Sequence, residues 1–248
     1  MPDIVMHAVM GNKVRKRLGL DLNDELFRFG LLGPDPFLYC WPKYNHYSSI
    51  MHRQRSGDFL FELAGRSRSK DTFSYLCGFL CHYALDSRTH PYIISLANSV
   101  CPDKKQAVFM HIAIEHRLDR DCGGRTAIPP FPSTSIRRAF EGSIEKVYGW
   151  KDTWKKLKAG YWHIKPFYAI IRDRYGVVNK VLSPFKGSPA MVSAKSKVCD
   201  SLDLSGFYPL LDSSVEDAVE FIKCAERFVK GNADAEEFRT VIGDRSYI

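Results

Sequence analysis

The stretch FLCHYALDSRTHPYI, residues 79–93, places two histidines and an aspartate in an otherwise apolar run. His82 and Asp86 are four residues apart, and so are Asp86 and His90. Because residues four apart share one face of an α-helix, the three polar side chains form a single stripe. The apolar neighbours predict that this helix is buried, and buried polar groups need partners. The stripe therefore either satisfies itself or holds a ligand.

A second pair with the same spacing occurs in MHIAIEHRLD, residues 110–119, where His111 and Glu115 share a helical face. His116 is rotated away from that face by about 100°. Two facing helices with such pairs can enclose metal ions, as helical bundles do with imidazole and carboxylate ligands. A ligand set without thiolate suits catalytic zinc better than structural zinc. A lone histidine on an apolar face is more often a satisfied core residue, but two such pairs favour a metal site.

The composition is that of an ordinary water-soluble protein, with 45% hydrophobic and 26% charged residues among 248. No segment has the roughly 20 consecutive apolar residues that a membrane-spanning helix requires, so none is expected. The N-terminus lacks the basic and apolar regions of a signal peptide. The seven cysteines are scattered without a disulfide framework, which favours reduced thiols and a cytoplasmic location.

The predicted fold class is all-α, a multi-helix bundle around the clustered metal site. Helical spacing of apolar residues recurs along nearly the whole chain, and we find no period-two run flanked by hairpin turns. The proline-rich stretch AIPPFPST, residues 127–134, is the clearest break. It divides a metal-binding helical core, residues 1–126, from a helical C-terminal part, residues 127–248. We expect the two parts to pack together as one domain.

The ends of two long helices can be predicted from their capping residues. The buried helix is expected over residues 71–88, with Asp71 at its N-cap and an end near Pro91. The helix that carries the second pair is expected to start near Asp103 and to end before Gly123.

Three helices are expected in the C-terminal part, one of them STSIRRAFEGSIEKVYG. Residues 213–231 form another, with Ser213 or Ser214 as its cap and Gly231 as its stop. The third, YWHIKPFYAIIRDRYG, is expected to bend or break at Pro166.

Charge is unevenly distributed in the C-terminal part. Residues 133–197 contain 14 Lys and Arg against 4 Asp and Glu, whereas residues 198–248 contain 5 against 11. The basic segment includes WKDTWKKLKAGYWHIK, in which lysines alternate with aromatic residues. Such a segment suits phosphate-bearing partners, either lipid headgroups at a peripheral membrane contact or nucleic acid. The alternative is a solvated helix face that docks against the acidic C-terminal segment.

Three stretches add further candidate ligands. GLLGPDPFLY presents Asp35 between two prolines, SIMHRQRSGDF carries His52, and MHAVMG carries His7. Together with the two helical pairs and His90, this ordered set resembles the zinc-dependent phospholipase C family. The superfamily also includes zinc-dependent single-strand nucleases. The resemblance covers roughly residues 1–120, about half of the chain.

The resemblance implies an all-helical bundle around two or three Zn²⁺ ions. The first site would take two aspartates and two histidines: Asp35, His52, His82 and Asp86. The second would take His90, His111 and Glu115. The third would take His7, the bridging Asp86, and the amine and carbonyl of the N-terminal residue, which is Pro2 once Met1 is removed. The chain departs from the family here, because members expose a tryptophan at that position and this chain begins Met-Pro-Asp.

The implied activity is phosphodiester hydrolysis, in which a metal-bound hydroxide attacks phosphorus. Paired metal ions neutralise the anionic substrate and stabilise the attacking and leaving oxygens. Asp35, as ligand or general base, and the bridging Asp86 are the candidate catalytic residues. The expected substrate is a phospholipid or another phosphodiester. The alternatives are a nuclease or nucleotide phosphohydrolase of the same fold, or a non-catalytic, metal-stabilised module that binds phospholipid or a partner.

Overall fold

The computed structural model describes residues 4–40, 42–123, 128–172, 181 and 198–244, and in these ranges every regular element is helical. The all-α prediction is therefore confirmed. The elements are α1 Ile4–Leu18, α2 Asp24–Gly30, a 3-10 helix Asp35–Tyr39, α3 Asn45–Arg53, α4 Ser56–Gly65, α5 Lys70–Val100, α6 Lys104–Asp121, α7 Arg137–Tyr148, α8 Thr153–Arg172, α9 Phe207–Val229 and α10 Ala235–Ile242. None of these helices combines the length and apolar character needed to cross a bilayer.

Helix α5 is the central element, and α1, α2, α6 and α9 all pack against it. Its N-cap is Ser69, whose side chain accepts a hydrogen bond from the Thr72 N–H while Thr72 reaches back to the Ser69 N–H. This capping box corrects the prediction that Asp71 is the cap. Two unmet backbone donors are satisfied reciprocally by the Ser69–Thr72 pair, which a single aspartate two residues further on cannot do.

Helix α5 also continues past the end predicted near Pro91 and runs to Val100. A proline inside a helix removes one backbone hydrogen bond and crowds the preceding turn. Here the turns that follow carry Ile93 and Ala97, which are 0% and 1% exposed in the hydrophobic core. Burial of these side chains outweighs the lost hydrogen bond, so tertiary packing keeps the helix intact.

Helices α2 and α5 cross with their backbones in contact. A β-carbon on Gly30 would overlap the carbonyl oxygen of Tyr75, and one on Gly78 would overlap that of Phe27. Glycine is required at both positions because no side chain fits between the two backbones. The crossing holds the segment after α2 beside α5, where it contributes to the site described below.

Helix α6 has the predicted boundaries. The Asp103 side chain caps it by accepting a hydrogen bond from the Gln106 N–H at 2.9 Å. It ends at Asp121, before Gly123, which has a φ of +63°. Helix α8 runs through Pro166 as one uninterrupted element, so of the two expected outcomes, a bend or a break, the break is wrong.

Helix α9 begins at Phe207, six residues before the predicted caps. The hydroxyls of Ser213 and Ser214 instead donate to the carbonyls of Pro209 and Leu210 in the preceding turn, so both serines lie inside the helix. The C-terminal end of α9 is as predicted, because Gly231 follows the helix with a φ of +77°.

Three acidic residues of α9 pair with the N-terminal half of the chain. Asp212 and Glu216 contact Lys13 and Arg17 of α1, and Asp217 forms two hydrogen bonds with Arg88 of α5. Helix α8 packs instead on the 3-10 helix and on α7. The acidic segment therefore faces α1 and α5, and the ion pairs given by the described residues do not join it to α8.

Candidate metal centre

Four acidic and imidazole side chains meet in the interior and form what we call the inner group: Asp35, His52, His82 and Asp86. Asp35 begins the 3-10 helix, His52 lies in the last turn of α3, and His82 and Asp86 are one turn apart on α5. All four are buried, and the two residues on α5 have no exposed surface.

The separations of the inner donor atoms match a tetrahedral ligand set. His52 Nε2 lies 3.2 Å from Asp35 Oδ1 and 3.3 Å from Asp86 Oδ2. His82 Nε2 lies 3.2 Å from Asp86 Oδ2 and 3.2 Å from His52 Nε2. The His82–Asp35 separation is longer, at 3.9 Å. Zinc–ligand bonds of about 2.0–2.1 Å place tetrahedral ligands about 3.3–3.4 Å apart. Four of these five separations agree with that value to about 0.2 Å.

Backbone carbonyls orient both inner histidines. His82 Nδ1 lies 3.1 Å from the carbonyl oxygen of Leu31, and His52 Nδ1 lies 2.7 Å from that of Ser48. A ring that donates from Nδ1 keeps its Nε2 lone pair free for a metal. Gly33 completes this support, because its φ is +52° and a β-carbon there would overlap the His82 ring.

A second cluster, the outer group, consists of His90, His111 and Glu115. His111 Nε2 and His90 Nε2 lie 2.7 and 3.7 Å from Glu115 Oε1. The outer group borders a cavity of about 490 Å³, which is also lined by His52 of the inner group. The His111 side chain is 17% exposed, so solvent reaches the outer group. His90 also lies 3.7 Å from Asp86 and connects the two groups along α5.

His7 of α1 lies on the other side of Asp86. Its Nε2 is 3.4 Å from Asp86 Oδ1, and its ring stacks on that of His82 at a centroid distance of 4.3 Å. Among the described residues, none gives a hydrogen bond to either ring nitrogen of His7, to Asp35 Oδ1 or to either oxygen of Asp86. Buried polar atoms are rarely left without partners. This concentration of imidazole and carboxylate donors fits a metal-binding function.

Asp119 fixes the start of α1 against α6. Its carboxylate accepts hydrogen bonds from the backbone N–H groups of Val5 and Met6 at 3.2 and 2.9 Å. Asp119 lies one turn beyond Glu115 on α6. A carboxylate at the N-terminus of a helix satisfies unpaired donors and complements the helix dipole. It thereby fixes the position of His7 relative to α5 and α6.

Burial and neighbouring charges set the protonation of the site. Burial, together with the nearby His82, lowers the pKa of His7 to about 3. Burial would also lower the pKa of His52, but the adjacent carboxylates of Asp35 and Asp86 raise it to about 9. The pKa of His90 is lowered well below its ordinary value, mainly by burial. At neutral pH, His7 and His90 are therefore neutral, as metal coordination requires, whereas His52 carries a proton.

Asp86 is ionised despite its burial. Burial alone would raise its pKa, but the neighbouring imidazoles, His82 first among them, hold it well below its ordinary value. The centre therefore keeps a negative charge between the two groups. Such a charge attracts a divalent cation.

The structure brings together eight of the nine residues that the sequence marks as metal ligands: His7, Asp35, His52, His82, Asp86, His90, His111 and Glu115. The ninth, Pro2, lies outside the described residues. His116, predicted to point away from the ligand face, borders the cavity without belonging to either group. His163 lies apart from both groups, with its Nδ1 2.9 Å from the carbonyl oxygen of Tyr39.

The supporting residues Leu31, Ser48 and Gly33 were not identified from the sequence. Leu31 and Ser48 act through backbone carbonyls, which no side-chain pattern marks. Gly33 had a usable signal, because it stands two residues before Asp35 in the same proline-rich turn. Asp119 had one too, since it continues the spacing of four from His111 and Glu115.

The comparisons with known proteins agree with this geometry. The family model for zinc dependent phospholipase C matches residues 6–163, well over half of the chain. The match includes every described residue of the inner and outer groups, and it extends beyond the roughly 120 residues covered by the motifs. A search of curated proteins and a search of solved structures gave no match. The chain belongs to the zinc-dependent phospholipase C family.

Proposed function

We propose that this protein is a zinc-dependent phosphoric diester hydrolase of the phospholipase C type. The observation that carries the proposal is the arrangement of the donors. Four of them have tetrahedral spacing in the interior, and three more border a cavity that a substrate can enter. Closely spaced metal sites of this kind suit the in-line cleavage of a phosphodiester.

In this proposal the chain binds two or three Zn²⁺ ions. The inner group holds one and the outer group another. Asp86 directs Oδ2 toward the inner histidines and Oδ1 toward His7, so it can serve two ions at once. We assign the third site to His7, Asp86 and the amine and carbonyl of Pro2. Bound zinc would supply Lewis-acid stabilisation of the phosphate charge and would lower the pKa of coordinated water.

The two catalytic carboxylates have different proposed roles. The Asp35 side chain is 11% exposed, whereas that of Asp86 is fully buried. We therefore assign Asp35, which solvent reaches, to accept the proton from the attacking water, in addition to its place among the inner donors. Asp86 stays ionised and holds the donors at fixed separations. This division follows from burial, because proton transfer requires contact with the water that reacts.

The cavity favours a phospholipid among the phosphodiesters. Its lining is mostly apolar and includes Leu38, Tyr39, Ile94, Val108, Ile112 and Phe167. Such a wall can receive the apolar part of a lipid beside the outer group. The basic segment suits anionic lipid headgroups, and single-stranded nucleic acid is the alternative substrate that the same charge would attract.

The rest of the proposal concerns organisation and location. We propose that residues 1–126 and 127–248 form one domain, and the packing of α7 on α4 and of α9 on α5 supports this. All seven cysteines are free thiols, which supports a reducing compartment such as the cytoplasm.

The proposal is tested by measuring zinc content and then screening substrates with the full chain. Elemental analysis should give two or three zinc ions per chain. Soluble short-chain phospholipids with different headgroups are then compared with a single-stranded oligonucleotide, and the released phosphomonoester or nucleotide is measured. We expect cleavage of a phospholipid between glycerol and phosphate, so that the phosphate leaves with the headgroup. Less than about one zinc per chain would overturn the metal assignment. Preferred cleavage of the oligonucleotide would identify a nuclease, and zinc and lipid binding without turnover would identify a non-catalytic module.

A further inference from the structure

Helix α8 presents a tryptophan to solvent. Trp162 is 58% exposed, although large apolar side chains in this fold are mostly buried. The same helix buries Trp154, Leu157, Tyr161 and Ile164 on its other side. Trp162 therefore lies on the outward side of a helix whose inward side is already packed, and its exposure calls for an explanation in terms of a partner.

Three lysines surround Trp162 on the outward side, and we call these four residues the α8 face: Lys155, Lys158, Trp162 and Lys165. At 100° per residue, all three lysines project within about 60° of the tryptophan. Helix α8 contains no acidic residue. The nearest carboxylate contact of the face is Asp152, 3.8 Å from Lys155 in an exposed pair that contributes little.

Helix α8 is also attached to the metal centre. It packs on the 3-10 helix that begins with Asp35. The Cys40 thiol donates to the carbonyl oxygen of Lys156 at 3.0 Å. Phe167 lies about 7.5 Å further along the helix axis than Trp162 and lines the cavity. The α8 face and the cavity are thus connected by one rigid element.

We propose that the α8 face docks this protein on the surface of an anionic phospholipid bilayer. The inference rests on the proposed function, because it assumes that the substrate is a membrane lipid. Tryptophan prefers the boundary between headgroups and acyl chains, and lysines are attracted to the negative potential of anionic lipids. Phe167 is rotated about 140° from Trp162 on the same helix, so docking through α8 holds the cavity that Phe167 borders about one helix diameter from the layer that contains the substrate.

The arrangement fits a lipid surface better than single-stranded nucleic acid. Nucleic-acid grooves usually offer several aromatic side chains on which successive bases stack. The α8 face offers one, Trp162, within a ring of lysines. A single aromatic anchor with surrounding cations is the pattern of a shallow interfacial contact.

The test is co-sedimentation of the zinc-loaded full chain with vesicles. Vesicles of phosphatidylcholine alone are compared with vesicles in which about one third of the lipid is phosphatidylserine. We expect binding to the anionic vesicles that weakens with salt. Trp162→Ala should weaken it by about tenfold. The double variant K158E/K165E should weaken it by more than about twentyfold, since each lysine near an anionic surface contributes about fivefold.

Matched controls come from α9, which also has exposed residues of both kinds. Tyr208 is 42% exposed and Lys223 is exposed. Tyr208→Ala and Lys223→Glu should bind vesicles like the unchanged protein. Every variant should melt at the same temperature and should hydrolyse a soluble short-chain substrate at an unchanged rate, because the α8 face lies outside the metal centre.

The outcomes separate this inference from the proposed function. If soluble substrate is hydrolysed but Trp162→Ala and the double variant bind anionic vesicles as well as the unchanged protein does, the docking face is wrong and the activity stands. If vesicle binding depends on the α8 face but no phosphodiester is hydrolysed, the activity is wrong and the face stands. If Trp162→Ala loses oligonucleotide binding while neither the unchanged protein nor any variant binds vesicles, the partner is nucleic acid and the inference is overturned.

Discussion

The inner and outer groups use similar donors in different settings. The inner group takes four donors from the 3-10 helix, α3 and α5, all of them buried, and both of its histidines are held by backbone carbonyls. The outer group takes three donors from α5 and α6 and borders the cavity, with the His111 side chain 17% exposed. The inner group is the more enclosed of the two, with only its Asp35 and His52 side chains reaching solvent or the cavity, and the outer group is the more open.

This difference assigns distinct tasks to the two groups. Four protein ligands complete a tetrahedral shell, as in zinc sites that support the fold, whereas three leave a position for water or substrate. We expect the inner group to contribute most to stability and the outer group to contribute most to substrate binding. Asp86 and His90, one turn apart on α5, join the groups, so damage at the junction should affect both.

The largest effect is therefore expected for Asp86→Asn. The substitution removes a buried charge that the inner histidines and His7 share, and the amide that replaces it is a weaker ligand. Loss of a supporting partner outside the ligand shell already costs about 10- to 100-fold in metal affinity or activity. We expect at least a hundredfold loss of phosphodiesterase rate, together with reduced zinc in elemental analysis.

His116→Ala is the matched control for Asp86→Asn. His116 borders the same cavity but belongs to neither group, so its removal should reduce the rate by less than about tenfold. A loss at His116 equal to or greater than that at Asp86 would mean that the ligand face of α6 is misassigned. The face that carries His116 would then be the one to study.

A direct test of the two settings compares His82→Ala with His111→Ala. His82 is fully buried, and its removal leaves a cavity as well as an incomplete inner group. We expect His82→Ala to lower the free energy of unfolding of the zinc-loaded protein by about 3 kcal/mol or more. His111→Ala should change it by less than about 1 kcal/mol while lowering the hydrolytic rate. Equal losses of stability in calorimetry would remove the distinction between the groups.

The sequence predicts the site better than it predicts the elements that hold it. The spacing of four residues in His82–Asp86 and in His111–Glu115 identified both helical pairs, because helix periodicity fixes which side chains share a face. The ends of α5 were missed at both termini. Its N-terminus depends on a reciprocal pair of hydrogen bonds, and its continuation past Pro91 depends on core contacts made by later residues.

Contacts between segments that are distant in sequence are the other feature that the sequence alone does not predict. The Leu31 carbonyl that orients His82 is 51 residues away from it in sequence, and Asp119 is more than 110 residues from the N–H groups it binds. Such pairings depend on how helices cross, here through the contact between Gly30 and Gly78. Single-sequence periodicity describes one helix at a time and therefore gives the candidate ligands without their supports.

A smaller effect is expected when the support of the inner group is disturbed. Gly33→Ala would push a β-carbon against the His82 ring and should lower zinc affinity by about tenfold, measured by competition with a chelating dye. Gly19→Ala is a closely matched control. Gly19 has a φ of +63°, close to the +52° of Gly33, but no atom lies within 4 Å of its added β-carbon. Both variants strain the backbone, and only the first should weaken zinc binding; equal affinities would exclude the role assigned to Gly33.

The smallest expected effect is the number of protons released when zinc binds. This number distinguishes the inner group from the outer group without any substitution. In the metal-free protein, the adjacent carboxylates of Asp35 and Asp86 outweigh burial and raise the pKa of His52 to about 9, so His52 carries a proton at pH 7. Zinc ligation requires the neutral ring, and filling the inner group should therefore release about one proton from His52. As the pH rises through 9, His52 loses that proton beforehand and the release should fall toward zero. His90 of the outer group has a lowered pKa and should add no proton. Calorimetric zinc titrations in two buffers of different ionisation enthalpy measure the count, and a release that does not decrease between pH 7 and pH 10 would refute the assignment to His52.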